Sequence, residues 1–338
     1  MVAMAAATAL EHVETMRAAV RRRWGAPEDV VEITEVPKPA LADDGVLVRV
    51  RAASINRADY YAVAPPGLVV RPMIGGFFRP KTHALGGDFA GVVEAVGKDV
   101  TGFAPGDEVF GSRTGAFGEY VCARMVVHKP ANVTFEEAAA VPVGALTALQ
   151  AIRDRGGLKE GGSVLVNGAS GAVGTFAVQI AKALGAGKVT AVCSTRNVEQ
   201  ARRLGADSVI DYTREDFTRG GDRYDTIVDI AGSRSWSELR RVLQPKGTVV
   251  MVGSKGGGRL IGPLGKLVRM WLASRRGSRR AVFFVAKFNK PDMETLRELV
   301  ESGRVKPVVE RVYPFAEIGE ALRSMGEGHG RAKLVVTF

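Results

Sequence analysis

Between Ser163 and Gly253 the chain alternates short apolar runs with helix-forming stretches, and this rhythm limits the possible folds more than any other feature. SVLVN, KVTAVCS, SVIDY, YDTIVDIAG and GTVVMVG are rich in β-branched residues, while GTFAVQIAKAL, NVEQARRLG and SWSELRRVL between them read as helices. Strand and helix in repeated succession, with strands apolar throughout, predict an α/β fold in which a parallel sheet is covered on both faces. AVFFVA at 281–286 supplies a candidate sixth strand.

The stretch from 17 to about 130 has another texture. VLVRVRAASI, GVVEAVG, GDEVFG and GEYVCARMVV are short strand-like runs separated by turn residues, which predicts an antiparallel, partly barrel-like unit. Thr134 then stands three residues before Glu137, the capping-box spacing, and opens a helical run that Pro142 interrupts. Towards the C-terminus PDMETLRELVESG reads as a helix with Met293, Leu296 and Val300 on one face and Gly303 as its stop. VKPVVERVYPF and AKLVVTF read as strands again, so the tail is expected to return to the first unit. Two domains suit 338 residues.

Apolar residues at 46% and charged residues at 25% describe a soluble globular chain. No apolar run reaches the roughly 20 residues that cross a bilayer, so no transmembrane segment is expected. Residues 1–15 read as an extension: they are Ala-rich, lack a positively charged start and carry Glu11 and Glu14. The structured part is expected to begin near Met16. Cys122 and Cys193 make neither a disulfide framework nor a thiolate zinc cluster, and a reducing cytoplasm is the simplest home.

A formal charge of +11 favours anionic ligands but equally suits nucleic acid or an acidic membrane. Part of it lies at 259–280, where Arg259, Lys266, Arg269, Arg275, Arg276, Arg279 and Arg280 interleave with Leu264, Leu267, Val268, Met270, Trp271 and Leu272. Such a segment can cover a hydrophobic cleft or dimer edge with its arginines outward, stand solvated, or meet a membrane or nucleic acid. The first is the expected role.

NGASGAVGT at 167–175 lies where the first predicted strand of the alternating region meets the first helix. Gly168, Gly171 and Gly174, with Ser170, Ala172 and Val173 between them, let the backbone approach a pyrophosphate that the helix N-terminus attracts. The GxxGxxG spacing departs from GxGxxG; the strand before and the helix after give it weight over a ligand-free glycine turn. In NAD sites a carboxylate ends the second strand. Here that strand ends in Cys193, Ser194, Thr195, Arg196 and Asn197, which offer hydroxyls and a guanidinium suited to a 2′-phosphate. The expected cofactor is therefore NADPH rather than NADH, with Tyr212 adding a hydrogen bond. The competing readings are a solvated arginine for Arg196 and a packing aromatic for Tyr212.

Together with ASINRADYY, LGGDFAGVVEAVG, GDEVFG, GAFGEYV, AAAVPVGALTALQA, LGADSVIDY and GHGRAKLVV, this loop resembles the medium-chain dehydrogenase/reductase superfamily and, within it, the zinc-free quinone reductase branch. The resemblance runs from about residue 16 to the C-terminus. It implies a mostly antiparallel GroES-like domain (16–140 and 287–338) interrupted by a Rossmann domain (141–286), an active site in the cleft between them, and a homodimer joined through the Rossmann sheets.

Zinc-containing relatives carry a cysteine, a GHE motif and a four-cysteine lobe. In this chain the GHE position reads Gly86, Gly87 and Asp88, and the remaining candidates are two cysteines with His12, His83, His128 and His329, so no metal is expected. Without a Lewis acid the favoured acceptor is an already electrophilic quinone or enone. The resemblance further implies a cleft motif N-x-x-D-x-Y at Asn56, Asp59 and Tyr61. Asn56 would orient substrate or nicotinamide ribose, Asp59 hold the local backbone, and Tyr61 hydrogen-bond the oxyanion or simply wall the pocket. Thr147 would face the nicotinamide, Asp88 have a structural role, and Ala231, Gly253 and Ser254 follow the fourth and fifth strands along the cofactor. Phe284 would touch the nicotinamide side or belong to the core, and His329 and Arg331 would flank the cofactor. Two alternatives stay open: an NADPH-dependent aldehyde or ketone reductase, and a cofactor-binding protein acting through nucleic acid or membrane. A nucleic-acid partner is not expected.

Overall fold

The computed structural model describes residues 14–74, 76–253, 264–328 and 330–338. Ser254 and His329 therefore lie outside the described residues, as do most of the extension and residues 259–263 of the basic segment.

The chain opens with a two-stranded antiparallel ribbon, β1 (Thr15–Arg21) and β2 (Val31–Pro37), separated by the short helix α1 (Pro27–Val30). β3 (Val46–Ile55) leads into α2 (Arg57–Val63), after which β4 (Asp88–Val96), β5 (Glu108–Ser112), β6 (Tyr120–Ala123) and β7 (Val126–His128) follow. Two helices then carry the chain out of this sheet. α3 (Phe135–Ala140) starts at the expected capping box: Glu137 N–H donates to Thr134 Oγ1 at 3.2 Å, and Thr134 N–H donates to the Glu137 carboxylate at 2.9 Å. Pro142 ends it and becomes the first residue of α4 (Pro142–Gln150), where its missing N–H costs nothing.

The alternating region forms as the pattern requires: β8 (Ser163–Asn167), α5 (Gly174–Ala183), β9 (Lys188–Cys193), α6 (Val198–Arg203), β10 (Ser208–Asp211), β11 (Tyr224–Asp229), α7 (Trp236–Arg241), β12 (Leu243–Met251), α8 (Leu264–Ser274) and β13 (Arg280–Phe283). All six strands are parallel, in the order β10-β9-β8-β11-β12-β13. The order reverses between β8 and β11, and the crevice at the C-terminal ends of those strands is where α/β sheets bind ligands. The basic segment contributes α8, which buries Leu267 and Met270 with the β12–β13 side of the sheet and leaves Val268, Trp271 and Leu272 exposed.

The tail comes back to the first sheet. After α9 (Lys290–Glu301), β14 (Val309–Pro314) and β15 (Lys333–Thr337), joined through α10 (Ile318–Glu327), complete a mixed sheet of order β14-β15-β3-β4-β5-β7, with β6 beside β3. One core cluster joins the two sheets. Ala52, Ala90 and Phe110 from the first share it with Leu146 and Leu149 of α4, Phe176 of α5 and Val166 of β8. The two sheets are thus joined by packed apolar side chains.

Candidate active site and dinucleotide crevice

α2 begins at Asn56, and its first turn is tied by Asp59, whose carboxylate accepts from Asn56 N–H at 2.8 Å. Asp59 thus ties the first turn of α2 to Asn56. The Asn56 side chain turns inward: Nδ2 donates to Asp88 Oδ2 at 2.9 Å, and Oδ1 accepts from Lys333 Nζ at 2.7 Å. Asp88 Oδ2 also accepts from Val143 N–H at 3.1 Å and lies 3.6 Å from Lys333 Nζ. A network of four buried polar side chains, Asn56, Asp59, Asp88 and Lys333, therefore lies where β3, β4 and β15 meet α2.

Its electrostatics follow from one cation among two carboxyls in a dry site. Burial pushes the Asp59 carboxyl up to about 7, with Asp88 adding repulsion and the Asn56 N–H and Lys333 opposing it. Burial also raises Asp88 and lowers Lys333, each offset by the attraction between them. A neutral cluster, with Asp59 protonated beside a Lys333–Asp88 ion pair, is the arrangement burial favours.

α4 links this network to the glycine loop. Its buried residues leave Val143 and Thr147, one turn apart, as half-buried positions on a shared face. A Cβ on Gly144 would lie 3.0 Å from the Ala172 carbonyl oxygen, so α4 runs tightly against the loop that opens α5. Thr147 lies one turn beyond Val143 on this helix. Tyr61 is half-buried and its hydroxyl bonds to no described residue, while its ring lies 6.1 Å from that of Tyr60.

The loop itself has the predicted architecture. Gly168 has φ 93°, and a Cβ on Gly174 would fall 2.1 Å from the Gly168 carbonyl oxygen, so a side chain at 174 would force the helix away from the strand. Ser170, Gly171, Ala172 and Val173 bridge the two, and the first N–H groups of α5 have no acceptor within the helix. Ala231 N–H donates to Asn167 O at 3.1 Å, which brings the end of β11 beside the loop. Gly253 crowds the same edge, since its Cβ would lie 2.1 Å from Ile230 O. The residues along this edge suit the pyrophosphate of a dinucleotide: small side chains and a helix N-terminus.

Ser194, Thr195, Arg196 and Tyr212 share the rim formed by the ends of β9 and β10, and Tyr212 N–H donates to Cys193 O at 3.0 Å. The Ser194 hydroxyl accepts from Asn197 Nδ2 at 3.2 Å, which leaves its own proton to donate. Thr195 is different. Its hydroxyl donates to Asp211 Oδ2, and together with Thr213 it holds that carboxyl below the usual carboxylate range. Its proton is therefore engaged within the protein. Asp211 ends the third strand and was not singled out from the sequence, where the missing acid was sought only on the second.

Two residues occupy less direct positions. Phe284 packs against the main core with Arg155 5.5 Å above its ring, so one ring face is already covered. Arg331 is exposed, and its carbonyl accepts from Gln200 of α6 at 3.4 Å, so it borders the helix that follows the Ser194–Asn197 turn. Lys333, like Asp211, carries no mark in the sequence reading. AKLVVTF reads as an ordinary strand, and only a charged side chain in phase with the fully buried Val335 signalled a partnered lysine.

The donor set for a metal does not assemble: among the described residues no three His, Cys, Asp or Glu side chains converge. Asp88 is committed to Asn56, Val143 and Lys333. No helix among them is long and apolar enough to cross a membrane.

Comparison with known proteins agrees with this architecture. Residues 42–151 match the alcohol dehydrogenase GroES-like domain family, and residues 204–336 match the zinc-binding dehydrogenase family. The mitochondrial NAD(P)H oxidoreductase RTN4IP1 of Mus musculus is 36% identical over 327 residues, covering 86% of this chain and 81% of its own length. The 2-methylene-furan-3-one reductase of Solanum lycopersicum is 32% identical over 327 residues, covering 91% of this chain and 76% of its own. Among solved structures, the quinone oxidoreductase of Coxiella burnetii superposes with a TM-score of 0.84 at 28% identity, covering 96% of this chain and 100% of its own. A GroES-like sheet and a doubly wound parallel sheet joined across a dinucleotide crevice, with relatives of this kind along nearly the whole length, make the chain an NAD(P)H-dependent oxidoreductase of the quinone oxidoreductase-like branch of the medium-chain dehydrogenase/reductase family.

Proposed function

We propose that this chain is an NADPH-dependent, zinc-independent reductase of quinones or α,β-unsaturated carbonyls. The observation that carries the reading is the double engagement of α4: Val143 N–H reaches Asp88 at 3.1 Å while Gly144 abuts the phosphate loop at Ala172. A hydride donor lying along the loop would then meet an acceptor beside Asn56, Tyr61 and Thr147. NADPH, when bound, supplies the hydride.

The chain's own groups divide the remaining work. Ser194, Arg196 and Tyr212 bind the adenosine 2′-phosphate, the glycine loop holds the pyrophosphate, and Arg331 closes the rim. Asn56, its amide held by Asp88 and Lys333, has one Nδ2 hydrogen left with which to orient the acceptor or the nicotinamide ribose. Tyr61 donates a hydrogen bond to the oxyanion that forms as hydride arrives, and its free hydroxyl supports that role. A conjugated acceptor suits a site whose acidic side chains are spent on internal contacts, and one relative is named for reducing such an enone.

Two copies are proposed to join along β13, which ends the parallel sheet and exposes Phe283 and, just beyond, Val285. A reducing compartment, cytoplasmic in the simplest case, suits the free Cys122 and Cys193. The test is NADPH consumption against a panel of quinones, enals, and saturated aldehydes and ketones. Turnover confined to conjugated acceptors and undiminished by metal chelators supports the proposal. Turnover confined to saturated carbonyls, or lost on chelation, overturns it.

A further inference from the structure

The segment that leaves the end of α2 at Ala64 returns directly into Asp88, so its C-terminal end joins the polar network of the site. Between Tyr60 and Gly87 the sequence contains no Asp or Glu but carries Arg71, Arg79 and Lys81. Leu68, Val69, Phe77 and Phe78 are exposed there, Phe77 at 48% and Phe78 at 84%. The two rings meet edge to face at 4.9 Å. Single exposed apolar residues are ordinary on a soluble protein, but two adjacent phenylalanines at a loop tip leave a contiguous apolar surface in water.

The tip is built to project. Gly76 has φ 149°, its N–H donates to Arg71 O at 3.1 Å, and a Cβ there would lie 2.0 Å from Arg79 O. Only glycine closes this turn, and the turn presents Phe77 and Phe78 outward with Arg79 and Lys81 beside them. Among the described residues neither cation is paired with a carboxylate, and both are exposed. A protruding aromatic pair flanked by unpaired cations has the chemistry of an interfacial anchor: rings enter the boundary of headgroup and acyl chain while ammonium and guanidinium groups meet anionic lipid. An exposed aromatic pair beside cations suits a bilayer surface better than a peptide, which needs a groove or a free strand edge.

We propose that the loop tip at Phe77 and Phe78 docks on an anionic lipid bilayer, with the mouth of the cleft facing the surface in which apolar acceptors dissolve. The identity of the acceptor rests on the proposed function above; the lipid contact does not. Co-sedimentation with vesicles of phosphatidylcholine containing phosphatidylglycerol, against vesicles of phosphatidylcholine alone, tests it without any turnover. The chain is expected to bind the mixed vesicles and to lose about a hundredfold in partitioning in Phe77→Ser/Phe78→Ser. Arg79→Ala/Lys81→Ala is expected to lose about fivefold per charge removed, whereas Arg275→Ala/Arg276→Ala on the basic segment is expected to bind as before. NADPH binding, followed by cofactor fluorescence, should be unchanged in all three and serves as the folding control. Wild-type chain that ignores anionic vesicles, a Phe77→Ser/Phe78→Ser variant that binds like the parent, or binding abolished only by Arg275→Ala/Arg276→Ala overturns the proposal. Absent vesicle binding would leave hydride transfer untouched, and absent turnover would leave vesicle binding untouched.

Discussion

Lys333 Nζ lies 2.7 Å from Asn56 Oδ1 across 277 residues of sequence, with both side chains buried. The lysine fixes which way the Asn56 amide faces, because its ammonium can only donate and therefore demands the oxygen. The amide nitrogen is left for Asp88, so one ion pair sets the orientation of the residue that opens the active-site helix. Removing one member of a buried pair strands the other. Lys333→Met is expected to cost about 3–5 kcal/mol of unfolding free energy in denaturant titrations. Lys333→Met combined with Asp88→Asn is expected to recover part of that loss, since no uncompensated carboxylate then remains. A double variant no more stable than Lys333→Met alone would show that the pair is not the source.

Asp59 makes stability depend on pH in a defined direction. Its folded value, about 7, lies above the ordinary 3.8, so between these the folded state binds more protons than the unfolded one. Stability from this group is complete below about pH 4, declines as pH rises towards 7, and is level above. The full decline is on the order of 4 kcal/mol. Asp59→Asn removes the titration while retaining an acceptor for Asn56 N–H, so its melting temperature relative to the parent should improve from pH 5 to pH 8. A constant difference across that range would place the titration elsewhere.

Arg196 is expected to distinguish the two nicotinamide cofactors. A guanidinium bonded to a phosphate contributes about 1.5–3 kcal/mol, so Arg196→Ala should weaken NADPH about tenfold to a hundredfold and leave NADH nearly unchanged. Fluorescence titration of each cofactor measures this directly. Equal affinity for both cofactors in the unaltered chain would remove the reading of the Ser194–Asn197 turn, and the presence of Asp211 behind Thr195 makes this the sharpest test of it.

Gly174 tests the phosphate loop. With a Cβ position 2.1 Å from Gly168 O, Gly174→Ala has to push α5 away from β8 or twist the loop. The expected result is at least a tenfold loss of affinity for either dinucleotide, read by isothermal titration calorimetry. Gly171→Ala, whose Cβ position has its nearest neighbour at 3.6 Å, should perturb the apo fold far less and is the control.

The parallel sheet was legible because its signals are local: each strand and helix of 163–253 declares itself within a dozen residues, and the capping box at Thr134 and Glu137 even marks a helix start. The returning tail was legible for the same reason, as β14 and β15 lie in valine-rich runs. What no local pattern carries is partnership at a distance. Lys333 and Asp88 look unremarkable within their strands, and their meaning appears only when β15 is laid beside β3 and β3 beside β4. Thr195 shows the converse: its residue type suited a phosphate, but Asp211, brought alongside by the pairing of β9 with β10, had already claimed its proton.

Tyr61 separates chemistry from confinement. It stands two residues beyond Asp59 on α2, half-buried, with no bond from its hydroxyl to any described residue. If that hydroxyl stabilises the oxyanion, Tyr61→Phe removes an interaction made chiefly in the transition state, so kcat and kcat/KM should fall together by about 10²-fold while NADPH affinity holds. If the ring only walls the pocket, the isosteric phenylalanine keeps kcat, whereas Tyr61→Ala raises KM. Steady-state kinetics of the two variants with one quinone therefore assign the residue, and a Tyr61→Phe enzyme with parental kcat would move the proton donor to water.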